Sequence, residues 1–143
     1  MTLVTHILAT TAGIQLLNLD EKGIILALIF GVAIDLDHVL KVPSYLKENK
    51  FKYKRHFPWR TFLQEPISFL WIIPICLILG TIIPIIFFSL HLLLDYCTNY
   101  AKKPFYPFSN YSTKGYFTSL SGVLKEGFVV FISLFGLIIG TVI

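Results

Sequence analysis

The sequence predicts an all-α fold: one membrane-embedded domain, residues 1–143, arranged as a multi-pass transmembrane bundle of about five short helices. Three observations lead there. Hydrophobic residues make up 55% of the chain and charged residues only 14%, against roughly 25% charged in soluble domains. Five apolar stretches follow one another: Leu3 to Leu19, Gly23 to Leu40, Phe62 to Leu79, Ile82 to Thr98 and Gly127 to Ile143. Lysine and arginine are gathered in alternate connections between those stretches, which is how a membrane chain marks its cytoplasmic side.

The first stretch carries Thr5, His6, Thr10, Thr11, Ala12, Gly13 and Gln15. That small and polar content suits a helix buried among others rather than one facing lipid. It lacks the basic start and the cleavage site of a secretory signal, so it is expected to stay as structure. The second stretch reads as one helix ending at the motif AIDLDH. Pro66 and Pro84 suit first-turn positions of the third and fourth helices, and Gly80 suits a helix end, so these two should form a tight hairpin. Most stretches fall short of the roughly 20 residues of a full span, so local bilayer thinning or helix ends below the headgroups is implied.

Lys41 to Arg60 holds seven basic residues and Lys102 to Lys125 four, whereas the turns Asp20 to Gly23 and Gly80 to Ile83 hold only Lys22. The second and fourth connections and the N-terminus are therefore expected in the cytoplasm, and the C-terminus outside, in a plasma (inner) membrane. The basic residues lie in connecting segments rather than on a periodic face, so no nucleic-acid partner is expected and membrane lipid is. The basic segment can do no more than hold topology and attract anionic headgroups; alternatively Arg55 and Arg60 clamp a substrate phosphate, which the guanidinium fork suits. KKPFYPF, from Lys102 to Phe108, reads as an interfacial anchor. Cys76 and Cys97 sit at different depths, so no disulfide is expected.

Depth along each helix, at about 1.5 Å per residue from its outer end, places His6 near 18 Å, Asp35 near 17 Å, His38 near 21 Å, His91 near 14 Å, Asp95 near 20 Å and Glu65 near 22 Å. Ionisable groups at that depth are costly against lipid and should face one another or a wet pocket opening to the cytoplasm. His91 and Asp95 share a helix face at i and i+4, as Asp35 and His38 do at i and i+3, while Asp37 points elsewhere. Singly, each is commonly a cap or a satisfied buried group. Together, imidazoles and carboxylates from several helices suit a borderline divalent cation: zinc, or else iron or manganese.

The residues THILATTAG, AIDLDH and HLLLDYCT followed by FYPF resemble the YdjM-like family of membrane-bound metal-dependent hydrolases, named for LexA regulation. The order and spacing agree across most of the chain. The family's PDxDH motif maps to Asp35, Asp37 and His38, its early histidine to His6, and its HxxxD motif to His91 and Asp95. Its HRGxTHS motif, aligned on Arg60, would put Trp59 and Gln64 at the two histidine positions; another register brings in His56 instead. The ligand order is also distantly similar to zinc-dependent phospholipases C, which implies a phosphoester target.

The expected function is thus a hydrolase. A metal on Asp35, His91 and Asp95, completed by His6 or His56, would lower the pKa of a bound water and polarise a phosphoester oxygen of an amphiphilic, lipid-like substrate. Asp37 or Glu65 would serve as general base, with His38 counted among the catalytic candidates. A non-catalytic relative that binds lipid or a partner ranks second, because of Trp59 and Gln64. A transporter or proton relay ranks third, since the outer half of the bundle is almost purely apolar.

Overall fold

A computed structural model describes residues 2–43, 47, 61–97, 102–114 and 121–142, with the backbone course alone at 38, 40, 41 and 142. The described residues are helical, with no strand and a single isolated bridge pairing Lys102 with Thr113. The α-helices are α1 (Leu3–Leu16), α2 (Glu21–Gly31), α3 (Phe69–Leu79), α4 (Ile83–Tyr96) and α5 (Gly122–Val142). Three 3-10 segments, Ala33–Lys41, Phe62–Gln64 and Pro66–Ser68, lie between α2 and α3.

The turn from α1 to α2 uses Asn18 at φ 46°, a left-handed conformation that asparagine tolerates better than most residues. Asp20 then caps α2 by accepting the Gly23 amide hydrogen at 2.8 Å, which also sets a carboxylate against the positive end of the helix. The hairpin expected between the third and fourth helices is present. Gly80 closes α3 at φ 66°, and Pro84 stands in the first turn of α4.

Two elements differ from the sequence reading. The second stretch is not one helix: α2 stops at Gly31, Val32 departs at φ −129°, ψ −55°, and a 3-10 segment continues. The aspartates of AIDLDH are poor helix formers, and Asp35 and Asp37 accept hydrogen bonds from Gln64 in another segment, which favours the tighter winding. The third stretch is likewise broken. Glu65 is extended at φ −120°, ψ 156°, as expected of a residue before proline, so regular helix starts only at Phe69. The last helix starts a turn earlier than expected, at Gly122.

α1 contacts α2, α4 and α5 and is the hub of the bundle, as its small-residue content implied. Its crossings depend on glycine. A methyl group at Gly31 would run into Thr10, and one at Gly140 would lie 2.9 Å from Gln15 Cγ. Gly136 and Gly140 form a small-xxx-small pair on α5 that lets its backbone approach α1. α4 packs on α2 and α3, with Phe88 fully buried against Phe69 and Phe87 fully buried against Gly13 of α1.

Among the described residues one helix segment, Gly122–Thr141, is long and apolar enough to cross a membrane by length and composition. Leu3–Leu16, Pro66–Leu79 and Ile83–Tyr96 are shorter apolar helices. Cys76 and Cys97 are both free thiols.

Candidate metal centre

The crossing of α1 and α2 at Thr10 and Gly31 places His6, one turn before Thr10, beside Asp35, one turn beyond Gly31. α4 runs past the same point and contributes His91 and Asp95, which its helical periodicity puts on one face. The outcome is a group of four donors, His6, Asp35, His91 and Asp95, whose ligand atoms all lie within 4.8 Å of one another. It is the one such group among the described residues. Both imidazoles are fully buried, and the carboxylates retain 15% (Asp35) and 10% (Asp95) side-chain exposure.

Each histidine lies between both carboxylates. His6 Nε2 is 3.3 Å from Asp95 Oδ1 and 3.7 Å from Asp35 Oδ2. His91 Nε2 is 3.5 Å from Asp35 Oδ1 and 3.7 Å from Asp95 Oδ2. The two imidazoles stack, with ring centres 4.3 Å apart and planes tilted by 20°. His91 Nδ1 donates to the Gly31 carbonyl at 3.1 Å. That fixes the tautomer with Nε2 as the bare lone pair, as the outer hydrogen bond of a metal-bound histidine does.

These donors fit a metal ion. His91 Nε2 is buried and has no hydrogen-bond partner, a state that costs about 1–3 kcal/mol unless something else is bound there. Two donors bonded to one cation at about 2.0–2.2 Å in tetrahedral geometry sit about 3.3–3.6 Å apart, close to the 3.3 to 3.7 Å between imidazole nitrogens and carboxylate oxygens here. Two carboxylates this close also repel when ionised, and a divalent cation cancels that repulsion.

A second layer supports the group. Gln64 Nε2 donates to Asp35 Oδ1 at 3.0 Å and to Asp37 Oδ1 at 2.6 Å, linking a donor to a neighbouring buried carboxylate. Thr61 donates to Asp37 Oδ2. Glu65 is buried outside the group; its Oε2 accepts from the Tyr96 hydroxyl at 3.0 Å and its Oε1 from the Lys103 amide at 3.1 Å. His56, Arg55, Arg60 and Trp59 lie outside the described residues, as does the His38 side chain.

Of the expected ligands, His6, Asp35, His91 and Asp95 are therefore together, and Asp37 stands one amide away. Thr61 and Gln64 as partners of the aspartates, and Gly31 as the acceptor for His91, were not anticipated. In the sequence Gln64 stands out only as a substitute for histidine. No periodic or spacing signal in the sequence marks these three, because each acts across a crossing between separate segments.

In comparisons with protein-family models, curated proteins and solved structures, nothing matches this chain.

Proposed function

We propose that this protein is a multi-pass integral membrane hydrolase, relying on divalent metal bound among His6, Asp35, His91 and Asp95 to cleave a phosphoester of a lipid-like substrate at the cytoplasmic membrane face. The reading rests on one observation: four donors from three segments, Asp35 half-buried and the others buried, stand at ligand-to-ligand spacing, with the bare His91 Nε2 turned into the group. Mixed nitrogen and oxygen donors favour zinc, with iron or manganese as alternatives. A bound cation of this kind would supply Lewis-acid polarisation of a phosphoryl oxygen and a water of lowered pKa.

The chain's own residues then have definable tasks. His91 is held by Gly31, and Asp35 by the Gln64 amide, so both keep their orientation without substrate. Of the two proposed bases, Asp37 is the one tied to the donor group, because it shares Gln64 with Asp35. Arg55 and Arg60 are proposed to receive the substrate phosphate. Membrane residence is supported by large apolar side chains left uncovered on all five α-helices, among them Leu77 at 78% exposure, Ile78 at 83% and Val123 at 83%. Extended exposed apolar patches are rare on soluble monomers, whereas acyl chains would cover these side chains. The sequence resemblance to YdjM-like membrane hydrolases and the basic connections support the same assignment and a cytoplasmic N-terminus.

The test is to purify the protein in detergent without chelator, supply zinc, and measure bound metal together with hydrolysis of lipid phosphates and phosphodiesters. Bound zinc and chelator-sensitive turnover, both lost in Asp95→Ala, are expected. Failure to retain any metal under replete conditions would remove the mechanism. A second reading, a non-catalytic relative of the same fold, is favoured by Gln64 standing as an amide between Asp35 and Asp37; metal binding without turnover on any lipid phosphate would support it.

A further inference from the structure

We propose that the centre is dinuclear, with one cation on His6 and a second on His91, and Asp35 and Asp95 bridging the two. The proposal rests on the metal-dependent reading above and specifies it. It starts from the stacking of the imidazoles. A histidine nitrogen binds a metal along its lone pair, which lies in the ring plane. The planes of His6 and His91 are tilted by only 20° and their centres are 4.3 Å apart. Two such planes meet far beyond the about 2.0–2.1 Å reach of a metal–nitrogen bond, so one ion cannot lie in both. One ion per ring removes the conflict, and the ring spacing is near the about 3.5–4 Å separation of two-metal sites.

The carboxylates agree independently. A monodentate aspartate on one ion would aim the same oxygen at both histidines. Asp35 instead directs Oδ2 to His6 and Oδ1 to His91, and Asp95 directs Oδ1 to His6 and Oδ2 to His91. Each carboxylate thus spans the pair with one oxygen apiece, which is the bridging arrangement. Each cation then has three protein donors, one nitrogen and two oxygens, and keeps positions open for water and substrate. A single ion with all four residues would have none open in a tetrahedral site. Charge points the same way: two divalent ions against two carboxylates leave a surplus positive charge in a buried place, which selects an anionic group such as a phosphoester and lets its oxygens straddle the pair.

The test uses the whole protein in detergent, stripped with chelator and reloaded with manganese. Elemental analysis after desalting counts ions per chain, and electron paramagnetic resonance reads whether they are magnetically coupled. Two manganese ions per chain with a spin-coupled spectrum are expected. One ion per chain would overturn the dinuclear proposal and leave the metal-dependent reading standing. Two ions without coupling would place the second elsewhere and overturn it as well. No ion retained would overturn both.

Discussion

His91 on α4 donates its Nδ1 hydrogen to the carbonyl of Gly31, the last residue of α2, at 3.1 Å. Gly31 also lies directly against α1, because a side chain there would run into Thr10. A single glycine therefore sets both the tautomer of one metal-binding histidine and the distance of the other, His6, from Asp35.

Gly31→Ala is accordingly expected to separate α1 from α2 and disperse the donors. The overpacking should cost about 1–3 kcal/mol, read as a lowered melting temperature in detergent, and metal content should fall. Thr10→Ala removes the obstructing γ atoms, so the double variant should recover part of both losses. Such coupling is what a double-mutant cycle measures for residues in contact. Strictly additive effects would show that the crossing does not depend on this pair.

Gln64 holds Asp35 at 3.0 Å and Asp37 at 2.6 Å. Outer partners of metal ligands are typically worth about 10–100-fold in affinity or activity. Gln64→Ala is expected to weaken zinc binding within that range, measured by competition with a chromophoric chelator, while the protein still folds. Unchanged zinc affinity would make Gln64 a packing residue only.

How much of this was legible follows from what each signal depends on. His6, Asp35, His91 and Asp95 could be grouped from sequence because helical rise fixes depth and the i, i+4 relation fixes a face. The breaks at Val32 and Glu65 preserved that grouping, since they shift side chains without changing which end of the bundle they occupy. Glu65 before Pro66 was readable in principle, as the residue before proline is driven out of helix. The break at Val32 was not. Beyond it Asp35 and Asp37 accept hydrogen bonds from Gln64, across a separation no periodicity registers. Gly31 carries no chemistry of its own, so only the crossing with Thr10 shows its part.

Asp37 and Glu65 are both proposed bases, and their surroundings predict different outcomes. Asp37→Asn should retain metal and lower turnover by about 10²–10⁴-fold, the usual contribution of a general base. Glu65 instead ties the Tyr96 hydroxyl at 3.0 Å and the Lys103 amide at 3.1 Å. Tyr96→Phe should therefore cost about 1.5–3 kcal/mol, as for a hydrogen bond to a charged group, and open the chain to trypsin after Lys102, which is buried in the native protein, with bound zinc unchanged. Loss of zinc in Tyr96→Phe would instead tie Glu65 to the metal centre itself.

Topology supplies the last prediction. Lys22 lies just inside the start of α2, where its ammonium donates to the Leu79 carbonyl at the end of α3. Lys103 lies beyond α4, next to Glu65 and on the side of the donors. If α3 and α4 cross the bilayer as a hairpin, these two lysines are on opposite faces. Single cysteines placed at 22 and 103, in a chain whose Cys76 and Cys97 are changed to serine, should then label differently in intact cells with a membrane-impermeant maleimide. Position 22 should react from outside and position 103 only after lysis, as the basic connections require. Equal labelling of both from one side would mean that the short helices do not span, and the donors would then have to be reached from a membrane surface rather than from within a bundle.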